Sequence, residues 1–424
     1  MTDLPDLLPL AEAQRRILDG VAALPAELVA IAEASGRVLA APVDAALTLP
    51  AWVNSAMDGF AVVAQDVAGA TADAPVVLRV LGEVPAGRAP ELGVEPGTAL
   101  RIMTGAMMPP GADAVVPVEQ TDAPAGASDI PAAVAVRAPV RKGDNLRFPG
   151  SDVRAGTRLL APGRACDAPA IALLAATGHE SVMAYRRPRV AVISTGDELV
   201  PPGSPLGPAQ IHDSNSYALA AQAAEAGAGV RRLGIAGDTL TALLAMLREA
   251  VAWADVVVLS GGVSLGAHDH VKAAFAELGS LSLWRVAIKP GRPFAYARAT
   301  SGDRTVALFG LPGNPVSVFV TFELFVRPVL RLLEGRPSAY DRPVRTARLV
   351  QPMRGSSGRH TIARVILAPD PERPDGLVAR SSGGQDSFML ASLSAANAMI
   401  FIPPDVDLDA GAEVLAWELR ARDS

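Results

Sequence analysis

The period of the apolar positions changes several times along this chain, and the changes divide it. Between residues 185 and 334, short apolar runs alternate with longer stretches in which apolar residues recur at helical spacing. The runs predict strands at 189–194, 230–235, 255–260, 283–288 and 305–309. The stretches predict helices at 217–226, 240–253 and 270–278, with a further helix from about 316 to 333. Alternation of this kind predicts a doubly wound, mostly parallel α/β sheet.

Upstream the texture is different. Within 47–140, brief valine-rich runs at 76–80, 114–118 and 132–136 are broken by Gly, Pro and Asp, which predicts a small inserted β domain. Its flanks, 1–46 and 141–184, form an N-terminal α+β region with a helical opening at 9–34 and a helix at 169–177. After Glu334 the run GRPSAYDRP has the composition of a linker. Beyond it, strand-like runs at 345–350, 363–367, 398–402 and 413–417 predict a C-terminal β domain over 340–424. The fold class expected is therefore multidomain α/β.

Three of the strands in the 185–334 region end in glycine-rich loops: STGDEL (194–199), SGGVSLGAHD (260–269) and GLPGNPVS (310–317). Ligands of open parallel sheets settle beyond the carboxyl ends of the strands, so three such loops converge on one crevice. Glycines admit positive φ and close backbone approach, letting successive N–H groups form a concave nest for phosphate-like oxygens. In the third loop Asn314 suits a helix N-cap and Pro315 the first helical position, so the helix that follows aims its positive end at the crevice. Each loop taken singly is also readable as a tight strand-to-helix turn; the three together point to an anion site.

Composition narrows the chemistry. Lys and Arg number 38 against 44 Asp and Glu, a net charge of −6, and no basic block occurs, which argues against a nucleic-acid partner. Cys166 is the single cysteine, so neither a disulfide framework nor a thiolate metal cluster can form within one chain, and any sulfur chemistry must use sulfur from a ligand. Asp3 and Asp6 stand where a signal peptide carries basic residues, and no apolar run is long enough to span a bilayer. A cytoplasmic protein without a membrane partner is expected. His268 and His270 flank Asp269, but two histidines without a third nearby ligand make a poor zinc site.

With these loops placed, the chain resembles the molybdopterin molybdenumtransferases of the bacterial MoeA type and is similar to the E domain of gephyrin. The resemblance rests on NSAMDGFAV (54–62), RIMTGAMMPPGADAVV (101–116), KGDNLRFPGSD (142–152), HDSNSYAL (212–219) and KPGRPFAY (289–296), together with the three glycine-rich loops, in that family's order over nearly the whole length. It implies a transferase of molybdenum cofactor biosynthesis. Such an enzyme takes adenylylated molybdopterin and molybdate, cleaves the adenylate with the help of Mg²⁺, releases AMP and leaves molybdenum on the pterin dithiolene. It also implies a homodimer whose cleft lies between the inserted β domain of one subunit and the α/β domain of the other, with handover from an adenylyltransferase and to molybdoenzymes.

Carried residue by residue, the resemblance implies catalytic roles for Asp58, Thr104, Glu198, Asp238 and Asp269, with Glu198 and Asp269 as metal ligands. Acids beside a phosphate repel it unless a cation mediates, and Mg²⁺ is a hard, oxygen-seeking ion usually shared with substrate phosphates. Asp238 and Asp269 each adjoin a predicted helix start, so helix capping is an alternative for both. The pterin and its phosphates are expected on Ser194, Thr195 and Gly196 of the first loop, on Ser260, Gly261, Gly262, Ser264 and Gly266 of the second, and on Pro312, Gly313, Asn314, Pro315 and Ser317 of the third. Asp213, Ser214 and Asn215 either contact the ligand or start a helix. Lys289 and Arg292 are placed to meet phosphate or molybdate, for which arginine's fork is suited. Thr104 either contacts an oxyanion or satisfies its own backbone. Two departures bear on detail: Ala297 stands where the family is expected to have glycine, and GGQDSFMLASLSAANA (383–398) matches the C-terminal pattern only loosely. The adenylyltransferase of the preceding step and a pterin-binding scaffold without turnover remain the alternative functions.

Overall fold

The computed structural model describes residues 7–124, 126, 129–263, 270–340 and 342–419. Its centre is a six-stranded sheet in the order Gly229–Ala236, Arg189–Thr195, Val256–Ser260, Arg304–Leu311, Pro293–Ser301, Gly279–Arg285. The first four strands are parallel, and Pro293–Ser301 runs antiparallel to both of its neighbours, Arg304–Leu311 and Gly279–Arg285. Both faces are covered. Val190, Val192, Val256 and Val258 pack into one core, while Ala191, Ile193, Val257 and Leu259 pack into the other. Continuous apolar strands are what burial on both faces requires.

Two details of this sheet differ from the expectation. The strand expected at 283–288 lies at Gly279–Arg285, and Pro293–Ser301 was not foreseen as a strand. The cause is a hairpin: Gly302, at φ +59°, and Asp303 connect Ser301 to its register partner Arg304. Pro293–Ser301 then offers its other edge to Gly279–Arg285, so long-range pairing sets the bounds of both.

The long helix begins at Pro315 and reaches Leu333, with one π-helical turn at Phe322–Val326. Pro328 has no N–H to give the preceding turn, and a π turn is one way a helix accommodates that loss. Glu323 sits in this turn, buried, and accepts from Gln222 Nε2 (3.0 Å), Arg342 Nε (3.0 Å) and Arg342 NH2 (3.1 Å). Arg342 also donates to the Leu419 carbonyl (2.6 Å), which ties the start and the end of the C-terminal module to the α/β unit.

That module is a closed barrel of His360–Pro369, Leu377–Ser381, Val344–Leu349, Glu413–Glu418 and Ala398–Ile402, the last strand pairing back to the first. Ile288–Lys289 pairs in parallel with the first two residues of the barrel strand His360–Pro369. Residues 59–136 contribute a separate five-stranded sheet ordered Ala114–Pro117, Gly59–Val62, Thr98–Ile102, Val76–Val84, Ala133–Val136.

The opening is less helical than expected at 9–34. An α-helix covers Leu10–Leu18, Gly20 takes φ +69°, Ala26–Ala30 is a strand paired antiparallel to Ser181–Tyr185, and a single 3-10 turn follows at Ile31–Glu33. Gly20 and Pro25 interrupt the helical path, and the distant strand supplies the hydrogen bonds instead. The helix at Ala168–Ala176 begins as the sequence suggests, with Asp167 accepting from Ala170 N (2.9 Å) and Pro169 in the first turn. Beneath it Cys166 is buried among Val29, Leu39, Leu160 and Leu174, and that burial pushes its thiol pKa up.

Candidate active site

Arg189–Thr195, Val256–Ser260 and Arg304–Leu311 end side by side, with Ser194 in register with Ser260 and Ser260 with Leu311. Chain connections leave this edge in opposite directions, since the next strand of the sheet after Arg189–Thr195 is its neighbour Gly229–Ala236 on one side, whereas all the strands of the sheet that follow Val256–Ser260 lie on the other. A crevice opens at such a switch point. Here it is a cavity of about 780 Å³ lined by Thr195, Gly196, Glu198, Ser260, Gly261, Gly262, Pro312, Gly313, Asn314 and Pro315, with Asp213, Ser214, Asn215 and Asp238 beside them. That is the size of a site for a ligand such as a nucleotide or a pterin.

The second loop needs its glycines. Gly261 has φ +96°, and a Cβ there would lie 2.5 Å from the Thr195 carbonyl oxygen; Gly262 has φ +64°, and its Cβ would meet Val271 Cγ2 at 2.7 Å. The Gly261 N–H is committed to the Leu311 carbonyl (3.1 Å), so this amide serves the fold and not a phosphate. Gly262→Val therefore deforms the loop from the inside. The variant is expected to lose at least about tenfold in molybdopterin affinity by calorimetric titration, and an affinity equal to the wild type would reduce the loop to a turn. Ser264, Gly266 and Asp269 lie outside the described residues.

The acidic residues separate into two kinds. Asp213 is buried and accepts from Ser194 Oγ (2.9 Å), Ser216 N (3.0 Å) and Ser216 Oγ (2.6 Å). Its carboxylate is consumed by the helix start, and Ser194, also buried, donates to it and is not part of the cleft lining. The carboxylates of Glu198 and Asp238 line the cleft with no hydrogen-bond or ion-pair partner among the described residues. The helix Leu240–Trp253 is capped by Thr239, which accepts from Ala242 N (3.2 Å), so Asp238 is not its cap. Among the described residues no group of three or more His, Cys, Asp or Glu side chains is gathered to hold a metal.

Asn215 binds the loops together, donating from Nδ2 to Ser260 Oγ (2.8 Å) and to the Gly313 carbonyl (2.7 Å). Ser214 and Asn314 occupy N-cap positions without a side-chain capping bond. Ser317 is buried, accepts from Thr321 Oγ1 (2.7 Å) at its carbonyl, and is not part of the cleft lining.

Lys289 lines a second cavity of about 220 Å³, against Ser381, Gln385 and Asp386 of the barrel. Arg292 is exposed. Asp58 and Thr104 meet in a third place. Thr104 N and Thr104 Oγ1 both donate to Asp58 Oδ1 at 2.7 Å, which holds that carboxyl below its ordinary pKa and leaves the Thr104 hydroxyl bonded to a carboxylate, not to its own backbone. Asp58 lines a cavity of about 510 Å³ with Arg101 and Met103, and this cavity has no lining residue in common with the main cleft. One chain brings the three glycine loops together but does not add Asp58 to them.

Sequence reasoning missed Leu199, Ile211, His212, Val263 and Pro293 of the α/β unit as lining residues, and also Phe388 and Leu390, which the C-terminal module supplies. A phenylalanine isolated after the polar run GGQDS was the available signal.

Three family models match in order. Residues 8–178 match the MoeA N-terminal region (domain I and II), 191–332 the probable molybdopterin binding domain, and 346–419 the MoeA C-terminal region (domain IV). Over 96% of its length the chain is 41% identical to molybdopterin molybdenumtransferase 2 of Mycobacterium tuberculosis, covering 98% of that protein. The chain belongs to the molybdopterin molybdenumtransferase family. Another family member, the molybdopterin molybdenumtransferase of Nostoc sp., is 39% identical over 93% of the chain and 88% of its own length. A crystal structure titled molybdopterin biosynthesis MoeA protein, from Pyrococcus horikoshii, superposes with a TM-score of 0.77 at 31% identity, covering 98% of this chain and 100% of that one. Among the described residues no helix is long and apolar enough to cross a membrane.

Proposed function

We propose that this chain inserts molybdenum into molybdopterin, taking adenylylated molybdopterin and molybdate as substrates and releasing AMP. The observation that carries the reading is the convergence of three glycine-bearing loops and two unpartnered carboxylates, Glu198 and Asp238, on one cleft. Backbone amides around Gly262 and Gly313 and the start of the helix at Pro315 suit the phosphates of an adenylylated pterin. The dithiolene sulfurs belong to the substrate, in keeping with a chain whose single thiol is buried.

Mg²⁺ is part of the proposal. Two carboxylates without partners facing a phosphate site are repulsive unless a hard cation lies between, and oxygen donors are what Mg²⁺ takes. Glu198 and Asp238 fit that role, with Asp269 expected to join them; the ion, when bound, neutralises charge on the phosphates. Asp58, held ionised by Thr104, is assigned to the same site from the partner subunit.

A homodimer accounts for the separation of the Asp58 cavity from the cleft. Supporting it, Leu28 and its register partner Met183 are both exposed, as are Trp52, Met57 and Phe148 around the pairing of Asn54–Ser55 with Leu146–Arg147. Apolar surface of this kind marks association. A cytoplasmic site of action, receipt of substrate from an adenylyltransferase and delivery to molybdoenzymes complete the reading.

AMP release tests it. Incubated with adenylylated molybdopterin, Mg²⁺ and molybdate, the protein is expected to release AMP only when both ions are present. Release of pyrophosphate from ATP would identify an adenylyltransferase instead, and pterin binding without AMP release would identify a scaffold.

A further inference from the structure

Among the ten phenylalanines, Phe148 and Phe388 are the two left exposed. Phe388 is 64% exposed, yet it stands on the wall of the main cleft, with Leu390, itself 41% exposed, on the same wall. An exposed phenyl ring on a loose loop would carry no argument. This loop is held from both sides. From beneath, the fully buried Arg364 donates through NH2 to the Gly384 carbonyl (2.7 Å) and to Ser392 Oγ (3.2 Å), while Ser392 Oγ donates to the same Gly384 carbonyl (2.7 Å). Gln385 clamps the Arg364 backbone, accepting from its N–H (2.9 Å) and donating to its carbonyl (3.0 Å). From the cleft side, Val316 N in the helix after the third glycine loop donates to the Ser387 carbonyl (3.0 Å). The backbone that carries the ring is therefore held at a fixed place relative to that loop.

We propose that Phe388 is a stacking platform for a flat heteroaromatic ring of the bound substrate, with the phosphates held by the glycine loops beside it. The inference rests on the proposed function, since it takes the cleft to hold a nucleotide-bearing pterin. A phenyl face gives up little conformational freedom on binding when its backbone is already pinned. Stacking on such a face is sequence-tolerant and strong enough to matter. Adenine and pterin share the required chemistry, and they are distinguishable.

The test uses the full chain as wild type, Phe388→Ala and Phe388→Trp, titrated calorimetrically with AMP and separately with molybdopterin lacking the adenylate. Phe388→Ala is expected to weaken one of the two by roughly tenfold and leave the other unchanged, with Phe388→Trp restoring it. The ligand that loses affinity identifies the ring. In turnover the same variant raises KM for adenylylated molybdopterin without changing kcat. Wild-type affinities for both ligands in Phe388→Ala overturn the platform and leave the cleft reading standing. Equal loss of both, not relieved by tryptophan, overturns it as well, because one ring cannot cover two sites. A wild-type chain that binds neither ligand overturns the cleft reading and the platform together.

Discussion

Glu198→Ala and Asp238→Ala are each expected to lose molybdate-dependent AMP release by on the order of 10²-fold or more, while the melting temperature stays near that of the wild type. The two effects separate because of where these side chains stand. Neither carboxylate makes a hydrogen bond or an ion pair among the described residues, so folding loses little when it is removed. Both line the cleft, where charge on a phosphate must be balanced. AMP affinity measured without metal should hold or rise in both variants, since a like charge has been taken away. The control is Asp213→Ala. Its carboxylate is buried with three hydrogen bonds from Ser194 and Ser216, so this variant should destabilise the protein by about 3 kcal/mol. Wild-type turnover in Glu198→Ala and Asp238→Ala would remove the cation from the mechanism.

Activity should return when Asp58→Ala and Glu198→Ala, each inactive alone, are unfolded together and refolded as mixed dimers. In a two-fold dimer whose clefts each combine both subunits, the mixed species carries both lesions in one cleft and none in the other. Random assortment makes about half of the dimers mixed, so roughly one quarter of wild-type activity is expected. The motive is geometric: Asp58, bonded to Thr104, lines a cavity that shares no lining residue with the cleft of the same chain. Verified mixed dimers without activity would mean that each chain completes its own site.

Much of the central fold was legible because it is encoded locally. Runs such as Val256–Ser260 are apolar at every position through Leu259, and burial on both faces leaves them no other role. What escaped was set at long range. Pro293–Ser301 begins with a proline and carries Arg298, and it becomes a strand because two neighbours pair with it. Ala26–Ala30 likewise takes its conformation from Ser181–Tyr185. At the site, the first two glycine loops could be read because positive φ, at Gly196, Gly261 and Gly262, restricts residue choice, whereas the division of labour among the acids could not. Asp213 and Asp238 both precede helices, yet one is consumed by the helix start and the other is replaced as cap by Thr239. Phe388 escaped for a third reason: the chain must close a barrel before that ring reaches the cleft.

The burial of Cys166 has a practical consequence for following the chemistry. A maleimide or iodoacetamide reagent added to the folded protein meets no accessible thiol, since the one cysteine is 1% exposed and its thiolate is disfavoured by its surroundings. Any rapid alkylation in a reaction mixture then reports on the ene-dithiol of the pterin. The rate at which that signal disappears as molybdate is added becomes a direct clock for metal capture, read without mutating or labelling the enzyme.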